Sequence, residues 1–230
     1  MIAHGAASAG DPGHLSISRG RAEFSLPSSF VRLRRGERLY QEGERVEALF
    51  HIVTGVVKLY TTFLDGKQHI MSFSFPDDLI GLAPNGTHVH SAEALTPVTA
   101  YRMSMAAINT RLRSDPELEF HMICQLSHEL HQARCHAALL SRHRATARIG
   151  LFLQMLEANQ TARGVSSQEI YLPMKRSDIA AYVGISLEAV GRSFRRLTNR
   201  GAITIRNRRY VEITNRAEFE AAILDENGRN

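Results

Sequence analysis

The chain has 230 residues, of which 43% are hydrophobic and 22% are charged, with a formal net charge of +5 at pH 7. This composition excludes a mostly disordered or collagen-like chain, and the length suits one or two domains with cores of their own. Two cysteines, Cys124 and Cys135, are too few for a disulfide scaffold. No apolar run approaches the roughly 20 residues of a membrane-spanning helix. We therefore expect a cytoplasmic protein that does not enter a membrane.

Basic residues are concentrated in the C-terminal third of the chain. Residues 141–216 contain 14 Lys or Arg against 5 Asp or Glu, whereas the remainder contains 14 basic and 18 acidic residues. This asymmetry is typical of a nucleic-acid-binding module joined to a second domain. From charge alone, a solvated basic face is an equally good interpretation.

The N-terminal half predicts an arm followed by a β-domain. Residues 1–20 are rich in Gly, Ala, Ser and His, and we predict an arm without a fold of its own over residues 1–27. Short β-type runs with glycine punctuation follow, and they recur at intervals of about 8–12 residues, as in an antiparallel barrel or jelly roll. The pair Asp65-Gly66 predicts a hairpin turn, because glycine tolerates a positive φ there.

The hydrophobic period changes at Ser114-Asp115-Pro116-Glu117, a helix-start signal with proline and acidic residues in the first turn. Apolar residues then recur at spacings of three and four, the heptad pattern of paired helices. They are Ile123, Leu126, Leu130, Ala133, Ala137 and Leu140. The pattern predicts a long helix that forms a homodimer interface. Packing of the stripe on the chain's own barrel is the alternative.

A helix-turn-helix is predicted within the basic segment. Ser177–Val183 has the pattern of a short amphipathic helix, and Gly184 ends it where a left-handed residue is needed. Ser186 can cap the next helix, Leu187–Leu197. Two helices joined by a tight glycine turn place the second helix in the major groove of DNA in many regulators. Double-stranded DNA is therefore the expected partner.

The second helix carries the side chains that we expect to read bases. Glu188 and Arg192 are four residues apart and share one face. Arginine can donate twice to guanine and glutamate can accept from cytosine N4. A surface ion pair worth about 0.3–0.5 kcal/mol is the alternative. Other side chains are expected to contact the DNA backbone and fix the register. These are Lys175, Arg176, Ser186, Arg195, Arg196 and Arg208, the last at the basic tip of a predicted wing hairpin over residues 202–213.

From Phe30 to Ile213 the sequence resembles the Crp/Fnr family of bacterial transcription regulators. The strongest stretch is residues 177–202, with Gly184 and the run Ser186-Leu187-Glu188-Ala189-Val190-Gly191-Arg192. The resemblance implies an α+β fold with three parts. These are an N-terminal β-roll like a cyclic-nucleotide-binding jelly roll (28–113), a dimerisation helix (114–142) and a C-terminal winged helix-turn-helix (143–230). It also implies binding to an inverted repeat in promoters and contact with RNA polymerase.

Leu187 indicates the branch of the family. Cyclic-AMP receptors carry arginine before the glutamate, whereas an apolar residue resembles Fnr and FixK proteins, whose half-site resembles TTGA rather than GTGA. Leu187 could meet a thymine methyl group. Gly191 stands where typical Fnr proteins carry serine, so the outer bases of the site stay open. We expect a transcription activator of FixK type.

Two features argue that the protein works without a cofactor. Cyclic-AMP binders of the family carry a Glu and then an Arg-Ser pair. The corresponding stretches here are residues 78–84, which contain no Glu, and His88-Val89-His90-Ser91, which contains no Arg. A buried phosphate without a cation would be costly. Fnr oxygen sensors hold an iron–sulfur cluster with about four thiolates near the N-terminus, and no cysteine precedes Cys124.

One cluster keeps a ligand-gated alternative open. Cys124, His128, His131 and Cys135 are spaced four, three and four residues apart on the predicted long helix. Such a stripe could bind zinc or haem or sense oxidants, although one straight helix cannot surround an ion with four ligands. We expect no metal here. An enzyme is not expected either, because the sequence shows no phosphate loop, nucleophile elbow or metal-ligand motif.

Overall fold

The computed structural model describes residues 14–18, 23–27, 29–165 and 168–224. In chain order the strands are β1 His14–Ser18, β2 Glu23–Pro27, β3 Ser29–Leu33, β4 Arg38–Tyr40, β5 Ala48–Thr54, β6 Val57–Thr62, β7 Gln68–Ser74, β8 Leu79–Ile80, β9 Ser91–Ala94, β10 Val98–Ser104, β11 Glu169–Tyr171, β12 Ile203–Arg206 and β13 Tyr210–Ile213. The helices are α1 Met105–Leu112, α2 Pro116–Leu140, α3 Ala145–Ala162, α4 Arg176–Val183, α5 Leu187–Asn199 and α6 Arg216–Leu224.

The chain forms two compact units. Of the described residues, those up to 61 and those from 73 to 128 form the first unit, and those from 62 to 72 and from 129 onwards form the second. The division falls within α2, so the C-terminal half of that helix belongs with the helix-turn-helix. The β6–β7 turn and most of β7 belong there too. No helix in the described ranges is both long and apolar enough to cross a membrane.

The strands from β3 to β10 form two antiparallel four-stranded sheets. Their strand orders are β3-β10-β5-β8 and β4-β9-β6-β7. Alternate residues of the strands point into a shared apolar core, as expected of a sheet with one face buried. Its largest members are Tyr40, Phe50, Ile52, Leu59 and Ile80. The two sheets with their core form the β-roll that the sequence predicts.

The predicted hairpin turn joins β6 to β7. Gly66 has a φ of +78°, and its N–H donates to the carbonyl of Phe63 at 2.9 Å. The Asp65 carboxylate accepts from the N–H of Lys67 at 3.0 Å, so the aspartate closes the turn with its side chain. The local chemistry of these residues therefore determines the turn.

Two segments of the predicted arm, residues 14–18 and 23–27, form strands, and the absence of an independent fold in the arm stays a prediction. Strands β1 and β2 pair antiparallel, and the register places Leu15 opposite Leu26 and Ile17 opposite Phe24. These residues alternate with polar ones at the period of a strand. The glycine- and serine-rich composition of the region obscured that alternation. Residues 1–13 and 19–22 lie outside the described part of the chain.

The second unit packs α3, α4, α5 and α6 around one apolar core and adds a three-stranded wing. Phe152, Leu156, Val190, Leu197 and Phe219 are all fully or almost fully buried in it. The wing has the strand order β11-β13-β12. Apolar residues from Ala147 to Ala158 predict an amphipathic helix, and α3 extends beyond that range by two residues at its start and four at its end.

Candidate nucleic-acid interface

The turn between α4 and α5 has the geometry that its sequence predicts. Gly184 has φ +66° and ψ +42°, and its N–H donates to the carbonyl of Ala180. A left-handed residue at this position ends a helix at low cost only when it lacks a Cβ. Ser186 then caps α5, because its Oγ accepts from the N–H of Ala189 at 3.2 Å. The angle between the two helices is therefore determined locally.

Helix α5 has one buried and one exposed face. Val190, Ser193, Phe194 and Leu197 are buried against the rest of the unit. Leu187, Glu188, Gly191, Arg192 and Arg195 are exposed. Because residues three and four apart are neighbours on a helix, the exposed residues form one continuous surface. The three predicted base-reading side chains, Leu187, Glu188 and Arg192, all belong to it.

Glu188 is held in its charged form. The hydroxyl of Ser186 lowers the pKa of Glu188 through a hydrogen bond, with a smaller contribution from the charge of Arg192. An ionised carboxylate only accepts hydrogen bonds. This suits Glu188 to an amino-group donor in a groove, and the same carboxylate sits at the positive end of the α5 dipole.

Most of the side chains that are predicted to contact the DNA backbone are exposed. Lys175, Ser186, Arg195, Arg196 and Arg208 all have exposed side chains. The N–H of Lys175 donates to the Asp178 carboxylate at 2.9 Å, which fixes the start of α4. These residues are placed where an anionic backbone could reach them, and their roles as phosphate contacts stay predictions.

Arg176 is placed differently from the other predicted backbone contacts. Its guanidinium carbon lies 3.5 Å from the centroid of the Phe194 ring. Its Nη1 is buried and has no hydrogen-bond acceptor among the described residues. Burial lowers the pKa of Arg176 to about 10. Arg176 therefore packs between the two helices of the motif, and its buried Nη1 is not available to a phosphate in this conformation.

The wing is fixed by an ion pair that was not predicted. Arg206 at the end of β12 donates from Nε and Nη2 to the two carboxylate oxygens of Glu169, at 2.9 and 2.6 Å. Such a two-point contact orients both side chains. At the tip, Asn207 and Arg208 have φ values of +51° and +59°. Two successive left-handed residues are the geometry of a tight hairpin turn.

The predicted dimer stripe of α2 is largely uncovered. Ile123, Leu126 and Leu130 are 55%, 46% and 51% exposed. Ala133 and Ala137 are exposed as well. Leu140 is half-buried instead, and its Cδ2 lies close to Gly184 of the same chain. Phe120, at 68% exposure, adds a large apolar side chain near the start of the helix, and the heptad count missed it.

The Cys/His stripe does not form a compact site. Cys135 Sγ lies 3.6 Å from His131 Nε2, and both cysteines are free and exposed. Within the described residues, no three His, Cys, Asp or Glu side chains converge as a metal site requires. Cys124 and His128 are not brought into such a group.

In the β-roll, aromatic residues occupy the region where nucleotide binders of the family carry Arg-Ser. His88 is buried and stacks on Tyr40 with the ring centroids 3.8 Å apart, and the Tyr40 hydroxyl lies 3.2 Å from His90 Nε2. Burial lowers the pKa of both His88 and His90, so neither supplies a positive charge at neutral pH. The charged neighbours of these rings are the carboxylates of Glu44 and Glu42. The arrangement does not fit a cyclic phosphate.

Comparison with known proteins identifies both parts of the chain. The model of the cyclic nucleotide-binding domain matches residues 30–115, and that of the Crp-like helix-turn-helix domain matches residues 147–222. The nitrogen fixation regulation protein FixK of Bradyrhizobium diazoefficiens is 33% identical over 80% of this chain and 77% of its own length. The transcriptional activator protein anr of Pseudomonas aeruginosa is 30% identical over 75% of this chain and 71% of its own length.

A solved structure supports the same conclusion. FixK2 from Bradyrhizobium japonicum has a TM-score of 0.79 and 27% identity, and the match covers 86% of this chain and 98% of that chain. The predicted fold, a β-roll followed by a long helix and a winged helix-turn-helix, is therefore confirmed. These relatives are transcription regulators and not enzymes. The chain belongs to the Crp/Fnr family of DNA-binding transcription regulators, in its FixK branch.

Proposed function

We propose that this regulator is a homodimeric, cytoplasmic transcription activator that reads an inverted repeat of TTGA-type half-sites and contacts RNA polymerase at the promoter. The observation that carries the proposal is the exposed face of α5. It presents Leu187, Glu188 and Arg192 together, next to a glycine turn and a serine cap that hold the helix in place.

Base reading follows from the chemistry of these three side chains. The N-terminal end of α5 enters the major groove, where Arg192 donates to O6 and N7 of a guanine and Glu188 accepts from N4 of its paired cytosine. Leu187 is 53% exposed and meets a thymine methyl group at the outer side of the half-site. The exposed basic residues Lys175, Arg195, Arg196 and Arg208 bind phosphates and set the register.

The inverted repeat follows from the dimer. The uncovered apolar stripe of α2 is about the width of a coiled-coil seam, and a second copy of the same helix is the partner that covers it symmetrically. Two recognition helices related by a two-fold axis read half-sites about 10 base pairs apart from centre to centre, which is one turn of DNA. A duplex with TTGA, six spacer base pairs and TCAA has this separation.

Activity is proposed to require neither a cyclic nucleotide nor an iron–sulfur cluster. The stacked rings of His88 and Tyr40, which are neutral, and the acidic side chains beside them support activity without a cyclic nucleotide. The sequence, in which no cysteine precedes Cys124, supports activity without an iron–sulfur cluster. DNA binding by the purified protein without added ligand is therefore expected.

A competition binding assay tests the proposal. The full-length protein is titrated onto the TTGA–TCAA duplex and onto a duplex of equal length and composition with scrambled half-sites, at several salt concentrations. We expect a preference of at least about 100-fold for the first duplex, because specific binding by such regulators exceeds non-specific binding by about 1,000-fold or more. Equal affinity for the two duplexes would contradict the proposal.

A ligand-gated regulator of the same architecture is the alternative. The contact between Cys135 Sγ and His131 Nε2 favours it, because a thiol and an imidazole 3.6 Å apart can together bind a soft metal ion. Elemental analysis of the purified protein, spectra after haem addition and thermal shifts with cyclic nucleotides separate the two. If a ligand binds stoichiometrically and changes the affinity for the TTGA–TCAA duplex, the proposal that activity requires no ligand is wrong.

The wing tip yields an experiment in which stability and DNA affinity change in opposite directions. Arg208 has a φ of +59°, a conformation that costs a residue with a side chain roughly 1 kcal/mol or more and glycine little. Arg208→Gly should therefore raise the free energy of unfolding by about 0.5–1 kcal/mol. It should also weaken binding to DNA of any sequence, because one phosphate contact is lost.

Thermal denaturation and the binding assay measure the two effects. Arg209→Gly is the matched control, since it removes the same charge from a neighbouring exposed residue whose φ is not positive. That control should lower the free energy of unfolding. A loss of stability in Arg208→Gly as large as in the control would show that the left-handed conformation is not strained.

A further inference from the structure

His136 differs from the other histidines of α2. It is only 8% exposed, although most of the C-terminal half of the helix is uncovered. Its ring lies flat on the ring of Tyr182 in α4, with the centroids 4.0 Å apart and an angle of 4° between the planes. Its Nε2 lies 2.8 Å from the carbonyl oxygen of Tyr182. The side chain thus combines a stacking contact and a hydrogen bond on one residue of the helix-turn-helix.

These contacts reach the end of α4, which is the part of the motif that sets the direction of α5. The last carbonyls of a helix have no partner within the helix and need donors from elsewhere. His136 supplies one for Tyr182. Arg148 of α3 supplies the next two, because its Nη1 lies 3.0 Å from the carbonyl oxygens of both Val183 and Gly184. The Tyr182 hydroxyl donates to Met155 Sδ at 3.2 Å, so the tyrosine is held at both ends.

The chemistry of the contact defines the protonation of the ring. A backbone carbonyl only accepts, so Nε2 must carry a hydrogen. Burial lowers the pKa of His136, and the carbonyl of Tyr182 opposes that shift in part. Strand β7 also faces the ring, since the backbone of Met71 raises the pKa of His136 and the charge of His69 lowers it. His136 is therefore neutral at neutral pH, with a hydrogen on Nε2.

We propose that His136 is a positioning residue for DNA binding. It holds the C-terminal end of α4 on the dimerisation helix, and through the Gly184 turn it sets the direction of α5 relative to that helix without touching DNA. This inference rests on the proposed function. Two recognition helices bind one inverted repeat only if both are held at a fixed direction from the dimer axis, so a loosened end of α4 lowers specific affinity first.

Two substitutions separate the hydrogen bond from the stacking contact. His136→Phe retains a flat ring on Tyr182 and removes the hydrogen that Nε2 donates to the Tyr182 carbonyl. His136→Gln loses the ring but keeps an N–H near the position of Nε2. His143→Phe is the matched control, because His143 is exposed and lies in the short segment that follows α2.

We expect His136→Phe to lower affinity for the TTGA–TCAA duplex at least about tenfold, because loss of one buried hydrogen bond per subunit releases the end of α4 from the direction that specific binding requires. Its affinity for the scrambled duplex at low salt should stay within about twofold of the wild type, because phosphate contacts are untouched. His136→Gln should retain specific affinity within about threefold, and His143→Phe should match the wild type. Unchanged specific affinity in a folded His136→Phe protein, or equal losses on both duplexes, would overturn the proposal.

A spectroscopic readout makes the test independent of the DNA site. In the free wild-type protein, nitrogen-15 spectra of the imidazole rings should show one slowly exchanging Nε2–H that disappears in His136→Gln. The proposal would be overturned if the His136 ring carried its hydrogen on Nδ1, or if its N–H exchanged rapidly with water. If the wild type fails to distinguish the two duplexes, the proposed function fails, whereas the ring spectrum still reports on the His136–Tyr182 contact.

Discussion

Arg192→Ala should abolish the preference for the TTGA–TCAA duplex while binding to scrambled DNA at low salt survives. A bidentate contact between arginine and guanine contributes about 1–3 kcal/mol of discrimination. A dimer makes the contact twice, so the preference should fall roughly 30- to 20,000-fold. Because Arg192 is exposed on a helix, its removal should not unfold the protein. Competition titrations on both duplexes measure the ratio directly.

Arg195→Ala is the control for this experiment. Arg195 is exposed about one turn further along α5 and is expected to bind phosphate. Its removal should weaken binding to all sequences alike and should reduce the salt dependence of binding by about one unit per subunit. If Arg192→Ala behaves in the same way as this control, Arg192 is a phosphate contact and base reading must lie elsewhere.

The helix-turn-helix could be predicted because local chemistry determines it. Gly184, Ser186 and the apolar residues of α4 and α5 act within a few positions of one another, and the structure places them as their sequence context requires. The same holds for Asp65-Gly66 in the β-roll. Turns and caps depend on nearby residues alone, so they can be predicted from the sequence without knowledge of the rest of the fold.

Elements that depend on distant partners were missed. Strand β11 has only three residues, too few to show a period, and its place in the wing depends on pairing with β13 more than thirty residues later. The ion pair between Glu169 and Arg206 exists only because that pairing forms. Helices α1 and α6 were not predicted either, because each is short and lacks a strong amphipathic pattern.

The same limit applies to the candidate site. The spacing of Cys124, His128, His131 and Cys135 drew attention to one stripe of α2, yet the histidine that the fold buries is His136. Its partner Tyr182 is 46 residues away, and no helical period relates the two. Likewise, nothing local shows that Arg176 turns onto Phe194. Exposure can be predicted from helical periodicity, whereas a contact between two helices cannot.

Leu130→Glu should prevent dimerisation. Leu130 lies in the middle of the exposed stripe of α2 and is 51% exposed, so the substitution should leave the fold of one chain intact. In a two-fold dimer each glutamate would lie close to its own copy and lose water, which leaves two unpaired charges in the interface. We expect the dissociation constant of the dimer to rise at least about 100-fold. Analytical ultracentrifugation at micromolar concentrations measures it.

Leu64→Glu is the matched control, because Leu64 is a fully exposed leucine at the tip of the β6–β7 hairpin and is not part of the stripe. It should remain dimeric, and a Leu130→Glu protein that also remains dimeric at micromolar concentration would exclude this stripe as the interface. The monomeric form provides a second result. One recognition helix reads one half-site, so the TTGA–TCAA duplex should bind the monomer no more tightly than a duplex with a single TTGA. In the proposed function, the inverted repeat is thus a consequence of the α2 stripe as much as of the side chains of α5.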